Sequence, residues 1–550
     1  MSVLKKRWVI KNQNKTLPIF KRLLENRKHL NLENESIFHD PFLFSNMHLA
    51  VKRIFEAIEK KERIIIFGDY DVDGISSSAI LGHTLAKLGA NFSYRLPHRV
   101  NDGYGLSEKF IDEFIEKKIK LVITVDCGIS CKNEIKKAKD YGIDTIITDH
   151  HAIPKIPPKD AYAILHPKFE DSYPFKELTG AGVAFKLAQA LLKEKRQDDP
   201  QLMNSLLELA LLGTVADLGP LTGENRLIVK NGLKNIAQTK LPGLKKLIEI
   251  SGREEIIDVQ TIGYRIAPRI NAAGRISSPY TPLFLLMANA PSKEMDELAH
   301  KLQSLNEERQ DITGKALIEA QKSLDTENLP PIIIAKSKDW HVGILGLIAG
   351  KLAEKYNRPT IILQEKNNCM VASARSPEYF NIVDALTFVK DCLINFGGHA
   401  QAGGFSMEAS KFEDFKTKIT AYTQEKIEII DLTPVLNIDC ELCESEINLN
   451  LIDEIEKLAP FGVQNQNPQF LLPNMLPENM QTVGKENKHL KFSVNIKNQN
   501  ITGIGFNLGE YLKELSGGGK IDIVLQLEKN YWRSKTSVQL RVLDFRKSEH

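Results

Sequence analysis

The sequence predicts an α/β protein: a parallel-sheet domain, a long connecting helix, a second α/β domain and a small C-terminal β-barrel. Three observations carry this prediction. From about residue 50, short apolar runs that read as buried strands alternate with helical stretches. A charged segment with few breakers runs from Ser292 to Ser323. After about residue 430, short strand-like runs are separated by Gly, Asn and Lys.

Taken in order, residues 1–46 read as a basic N-terminal extension broken at Pro18 and Pro41. Lys21, Arg22, Arg27 and Lys28 form a basic helical stretch, expected to be a solvated face. Residues 47–290 are expected to hold the parallel sheet. Ile64–Phe67, Leu121–Val125 and Thr145–Ile147 are its buried strands, because runs without polar alternation suit strands covered on both sides. Ile75–Leu88, Ser107–Lys118 and Lys132–Tyr141 are its helices, and 176–250 is mainly helical. Residues 291–329 form the connecting helix, stopped by Pro330 and Pro331. Residues 330–428 form the second α/β unit. It has strand Ile332–Ala335, helix Ile344–Lys355 and strand Thr360–Leu363, and closes in the glycine-rich Gly397–Gly404. Residues 429–550 supply the barrel, with strands Lys491–Ile496, Ile501–Phe506, Ile521–Leu527 and Val538–Phe545.

Bulk properties bound the function. A chain of 550 residues exceeds one hydrophobic core, so three or four domains are expected. The net charge of +3 does not by itself indicate nucleic acid, but a basic groove can hide within such a total. No apolar run is long enough for a signal peptide or a bilayer span, which predicts no membrane association. Six cysteines in so long a chain make no disulfide framework, and Cys440 and Cys443 lack the second pair a zinc site needs. A reducing, cytoplasmic setting is expected.

The chemistry concentrates after the predicted strands. Asp69, Asp71 and Asp73 alternate directly behind the first one; in extended backbone they share a side, where they repel unless a cation sits among them. The second strand ends in Asp126-Cys127-Gly128 and the third in Asp149-His150-His151. Ligands of open α/β sheets bind beyond these strand ends. Asp217 ends an apolar helical run; a buried or half-buried Asp needs a partner, which a cation would supply. Several carboxylates with imidazole and no thiolate favour two ions, Mn²⁺ or Mg²⁺, and two such ions suit hydrolysis of a phosphoester or phosphoanhydride. A solvated acidic turn is the plain alternative for the first motif alone.

Asp149-His150-His151 with the upstream Asp69-Tyr70-Asp71-Val72-Asp73-Gly74 resembles the DHH phosphoesterase superfamily. Arg99–Leu106, Thr179–Val183, Arg269–Arg275, Trp340–Ile344 and the turn Leu458–Gly462 resemble its single-strand-specific exonuclease branch. The resemblance covers nearly everything from about residue 45. It implies a DHH domain, a DHH-associated domain and an OB-fold barrel. It also implies metal-binding roles for Asp71, Asp73, Asp126, His150 and Asp217, with Asp126 bridging and Asp69 joining them. His151 would face the scissile phosphate and Asp149 would orient the histidines. Many relatives carry a histidine where this chain has Phe67, which leaves the coordination of one ion open. Ser373 and Arg375, with Gly397, Gly398, His399, Gly403 and Gly404, match substrate-binding motifs; Arg375 suits a bidentate phosphate contact. In the barrel, Phe492, Tyr531 and Trp532 are candidates to stack on bases, and Lys488, Lys491 and Arg533 to meet phosphates. The implied activity is 5′→3′ hydrolysis of single-stranded DNA to 5′-mononucleotides in repair and recombination. The implied setting is a monomer working with a helicase and a single-strand-binding protein. The alternatives are a phosphodiesterase for short oligoribonucleotides or cyclic dinucleotides, and a catalytically silent replication scaffold.

Overall fold

The computed structural model describes residues 2–28, 37–99, 101–103, 105–252, 257–325, 327–428, 432–532 and 535–548, with the Trp532 side chain excepted. The chain divides into two compact units: Ser36–Ile430, and Met1–Glu35 together with Asp431–His550.

In the larger unit, five parallel strands form the first sheet. Their order is Phe92–Arg95, Ile64–Gly68, Leu121–Val125, Asp144–Thr148, Ala163–Leu165. The three central strands are the expected ones. Every residue of Ile64–Gly68 and Leu121–Val125 is buried, as an unbroken apolar run predicts for strands covered on both faces. The two edge strands escaped the sequence reading because Phe92–Arg95 is half polar and Ala163–Leu165 has three residues. Helices Val72–Lys87 and Gly180–Glu194 pack together on one face, with the buried helix Pro200–Ala216 against both. Helices Glu108–Glu116 and Lys132–Asp140 pack together and send Phe110, Phe114, Ile135 and Ala138 into a separate apolar cluster with Ile65 and Phe67 of the sheet. Phe67 lies in that layer, its ring 5.2 Å from that of Phe110.

The connecting helix is Lys293–Lys322, capped by Ser292 accepting from the Met295 N–H. Its 30 residues span about 45 Å at the standard rise. The second sheet is mixed, with order Asn395–His399, Ala402–Glu408, Cys369–Arg375, Thr360–Lys366, Ile333–Ser337. Only the last two strands are parallel. The glycine-rich stretch is an antiparallel hairpin that pairs Gly397 with Gly404 and Gly398 with Gly403. Strand pairing was illegible there because glycine carries no side-chain periodicity.

In the smaller unit, an eight-stranded sheet encloses Phe470, Phe492, Ile523, Leu525, Leu540 and Phe545. The basic N-terminal stretch belongs to it. Strand Arg7–Asn12 pairs in parallel with Val435–Glu441, and helix Ile19–Asn26 buries Ile19 and Leu23 in the same core. The expected solvated face is corrected accordingly. Lys21 and Lys28 are exposed, but Arg22 bonds the Glu441 carbonyl and Glu446, and Arg27 bonds Asp439 at 2.8 Å. Helical periodicity could not reveal these acceptors, which lie more than 400 residues away in sequence.

Candidate metal centre

The carboxyl edge of the first sheet gathers the predicted acidic groups. They do not converge by extended alternation. The strand stops at Gly68, Asp71 caps the following helix by accepting from the Gly74 N–H, and Asp73 lies in its first turn. A strand-to-helix turn therefore delivers them. Asp73 accepts from the N–H groups of Gly180 and Ala181 at 2.7 and 2.9 Å, so the N-terminus of a second helix also stabilises it. Asp126 sits at φ 60°, a conformation that Asp and Asn tolerate better than most residues. Close packing here demands glycine: a methyl on Gly180 would lie 2.6 Å from Asp126, and one on Gly213 would lie 2.3 Å from Asp73.

His150 Nε2 lies 3.1 Å from Asp126, 3.6 Å from Asp217 and 3.8 Å from Asp73. Ligand atoms of Asp73, His150 and Asp217 lie within 4.8 Å of one another, as do those of Asp69, Asp71 and Asp126. Asp149 is not in either group. It accepts from the N–H groups of His150, His151 and Ile129, and its Oδ1 is 2.8 Å from His151 Nδ1. Phe67 takes no part in either group, since its side chain packs in the apolar layer.

The electrostatics test whether cations fit. Burial, then the neighbouring Asp71, pushes Asp69 up to about 8 and Asp73 to about 7; burial and Asp73 push Asp217 to about 8 and raise Asp126 well above the carboxylate range. Burial, then His151, lowers His150 to about 3, which leaves a neutral imidazole suited to coordination. Burial works against the charge on His151, but the Asp149 carboxylate overcomes it and raises His151 to about 9. Asp69 Oδ1 and His150 Nε2 are buried and make no hydrogen bond. Divalent cations would answer both the crowded charge and these orphaned ligand atoms.

This arrangement sets a prediction. Without metal, the folded state keeps protons on Asp69, Asp73 and Asp217 that the unfolded chain has released above about pH 4. Metal-free stability therefore falls as pH rises toward about 8. Mn²⁺ displaces those protons, so the rise in Tm that it produces is expected to be larger at about pH 8 than at about pH 6. Thermal melts with chelator and with Mn²⁺ at both pH values check this, and equal shifts would count against it.

In the second sheet, the hairpin and its neighbour strand bring the predicted substrate-binding residues together. Arg375 donates to the Ser373 hydroxyl at 3.1 Å, and Gly403 and Gly404 pair with Ala374 and Ser373. Gly397, Gly398 and His399 are exposed, and the His399 ring is stacked toward that of His151, 6.2 Å away. Three further arginines join them. The Arg99 guanidinium lies 3.9 Å from the Tyr70 ring centre, and burial together with Arg99, Arg375 and Arg309 pulls Arg275 down to about 9. Their role was not read from the sequence, where Arg99 and Arg275 sit inside longer family-like stretches and Arg309 in an ordinary charged helix.

In the smaller unit the candidates separate. Phe492 is 1% exposed in the core and cannot stack on a base, which corrects its assignment. In a strand, one residue of register exchanges inside for outside. Tyr531 is 60% exposed, Lys491 is half-buried, and Lys488 is paired with Glu486. The Trp532 side chain and Arg533 lie outside the described residues. Phe506, missed in the sequence, is 51% exposed, with the Arg541 guanidinium 5.6 Å from its ring centre and His489 edge-on at 5.3 Å.

Family models match three stretches: the DHH family N-terminal domain over residues 63–214, the DHHA1 domain over 329–425 and the RecJ OB domain over 438–544. The single-stranded-DNA-specific exonuclease RecJ of Salmonella typhimurium is 33% identical over 529 residues, covering 91% of this chain and 90% of that protein. The chain belongs to the RecJ family. RecJ of Bacillus subtilis is 38% identical over 93% of this chain, which spans 65% of that longer relative. The crystal structure of RecJ from Thermus thermophilus in complex with Mn²⁺ matches with a TM-score of 0.86 at 28% identity, covering 99% of this chain and 80% of that one. A second crystal structure of that RecJ is a complex with Mg²⁺, with a TM-score of 0.80. The RecJ fold thus includes the parallel-sheet, DHH-associated and OB domains seen here.

Proposed function

We propose that this protein is a metal-dependent exonuclease that degrades single-stranded DNA from the 5′ end and releases 5′-mononucleotides. The single observation that carries the hydrolytic chemistry is the geometry of the sheet edge, where five aspartates and a neutral histidine gather with arginines nearby; the single-stranded DNA substrate rests on the RecJ relatives, and the 5′ polarity on the family resemblance alone. Asp73, His150 and Asp217 would hold one ion and Asp69, Asp71 and Asp126 a second, with Asp126 near enough to His150 to bridge. Bound Mn²⁺ or Mg²⁺ makes water nucleophilic near neutral pH and offsets the charge that develops on the phosphoryl oxygens.

The chain's own groups do the rest. His151, tied through Nδ1 to Asp149, holds a proton for a phosphoryl oxygen at Nε2. Asp149 keeps that ring in place and, through the His150 N–H, orders the neighbouring ligand. Arg99, Arg275, Arg309 and Arg375 repel one another, and phosphates of an entering strand relieve that repulsion. Ser373, His399 and the glycine hairpin would border a cleft between this sheet edge and the second sheet, where the His399 ring lies 6.2 Å from that of His151. Exposed Tyr531 and the Phe506–Arg541 pair suit base stacking on the barrel. No helix of the described residues is long and apolar enough to cross a membrane, and all six cysteines are unpaired. Unpaired cysteines fit a reducing, cytoplasmic setting; a monomer working in DNA repair and recombination with a helicase and a single-strand-binding protein is the part of the reading that rests on the family resemblance alone.

The test uses end-labelled strands, single or duplex, DNA or RNA, with Mn²⁺, Mg²⁺ or chelator. Metal-dependent release of a labelled mononucleotide first from the 5′ end of single-stranded DNA is expected. First release from the 3′ end, or a preference for duplex, would overturn the reading. A second expectation concerns the barrel. Its removal must take residues 1–36 as well as 429–550, because strand Arg7–Asn12 pairs with Val435–Glu441. The remaining protein is expected to lose about tenfold or more in kcat/KM on long strands and much less on very short ones. Equal loss on both, in a protein shown to be folded, would refute that division of labour.

A further inference from the structure

The short segment between the connecting helix and the second domain touches three elements. Trp340 is buried and donates through Nε1 to Glu319 of the connecting helix at 2.9 Å. His341 accepts from the Gly343 N–H at 3.0 Å, which tightens the turn before helix Leu345–Tyr356. The Gly343 carbonyl accepts from Arg275 Nη1 at 3.1 Å. Gly343 also packs on the Arg275 backbone so closely that a methyl there would lie 2.1 Å from the Arg275 carbonyl oxygen. One helical turn later, a methyl on Gly346 would lie 3.0 Å from both Arg375 Nη2 and Ser373 Oγ. The segment therefore abuts Arg275 of the first domain at one end and Arg375 of the second at the other.

We propose that Gly343 and Gly346 are positioning residues that set the separation of the Arg275 and Arg375 guanidiniums, and so determine how well the cleft grips the phosphates of a strand. This rests on the exonuclease reading. The physical case is one of distances. Two guanidiniums that already repel one another hold a phosphate only when both reach it, and a shift near 1 Å forfeits most of a hydrogen bond. Backbone meets backbone at Gly343, so a side chain there must part the two domains locally. At Gly346 the neighbours are the far ends of flexible side chains, so the disturbance is smaller and confined to Arg375 and Ser373. The atoms nearest to either glycine belong to no metal-centre carboxylate.

The experiment compares full-length wild type, Gly343→Ala and Gly346→Ala with Mn²⁺. The readouts are strand hydrolysis, hydrolysis of bis(p-nitrophenyl) phosphate, and the salt dependence of KM. For Gly343→Ala, KM on single-stranded DNA is expected to rise about tenfold with kcat within about threefold. The slope of log KM against log salt should flatten by about 0.7 for each phosphate that the cleft no longer grips. Gly346→Ala should move in the same direction by about twofold to threefold. The small diester, which needs only the metal centre, should be hydrolysed at the wild-type rate by both. A wild-type KM and salt slope in Gly343→Ala, or loss of small-diester hydrolysis in parallel with strand hydrolysis, overturns the proposal. Should Gly343→Ala fail to fold, a wild-type KM and slope in Gly346→Ala overturns it instead. Failure of the exonuclease reading shows separately, as a wild-type protein that does not hydrolyse the strand.

Discussion

Asp126→Asn is expected to lower kcat on single-stranded DNA by about a thousandfold or more, equivalent to ~4 kcal/mol of transition-state stabilisation. Asp126 is the carboxylate nearest His150 Nε2 and belongs to the same group as Asp69 and Asp71, so its loss disturbs both proposed ions. Asparagine is the informative replacement. It matches the shape of aspartate and tolerates the φ of 60° found here, whereas alanine adds backbone strain to the loss of charge. Because burial and neighbouring aspartates oppose the charge on Asp126, the amide relieves repulsion in the metal-free protein. Its Tm in chelator should therefore equal or exceed that of wild type, while the stabilisation by Mn²⁺ shrinks. Single-turnover kinetics with metal titrations checks both. A kcat within about tenfold of wild type would remove Asp126 from the bridging role.

Asp149→Asn is expected to do the opposite to stability while also lowering activity. The buried Asp149 carboxylate accepts from three backbone N–H groups, those of Ile129, His150 and His151, and its Oδ1 also meets His151 Nδ1. An asparagine has one accepting oxygen, so either orientation turns an NH₂ toward a buried N–H. That conflict costs about 1–3 kcal/mol in addition to the stronger, charge-assisted bonds that disappear. A Tm several degrees below wild type in chelator is expected. A fall of about a hundredfold in kcat should accompany it, since His151 loses the partner that holds its ring and its proton. Wild-type Tm with wild-type kcat would show that Asp149 does not organise the histidines. The two substitutions change the same functional group, about twenty residues apart, and separate a carboxylate held in repulsion from one held by donors.

Much of the candidate metal centre was legible because its residues follow strands. An unbroken apolar run announces a buried strand, and a parallel sheet sends its carboxyl ends to one edge, so the sequence alone brings Asp69, Asp126 and Asp149 together. The route by which Asp71 and Asp73 arrive was not legible. Alternation in extended backbone and a turn into a helix both bring alternate residues near one edge, and only the structure distinguishes them. The arginine cluster was hidden for a different reason. Arg99, Arg275, Arg309 and Arg375 come from four separate segments, and nothing local marks a charge that will meet three others. Phe492 shows the limit in the barrel: an aromatic residue among short strands faces the core or the solvent according to register, and the sequence left that choice open.

The sequence by itself determined the three central strands of the first sheet, the edge at which acidic groups collect, and the chemical class of ion they suit, because these depend on local periodicity and ligand type. Tertiary structure alone decided which distant groups meet. It folded residues 2–28 onto the barrel unit, buried Arg22 and Arg27 against acceptors more than 400 residues away, and set Arg275 against Gly343. The physical reason is that such contacts are fixed by packing between elements, whose partners leave no periodic trace in either segment of the chain.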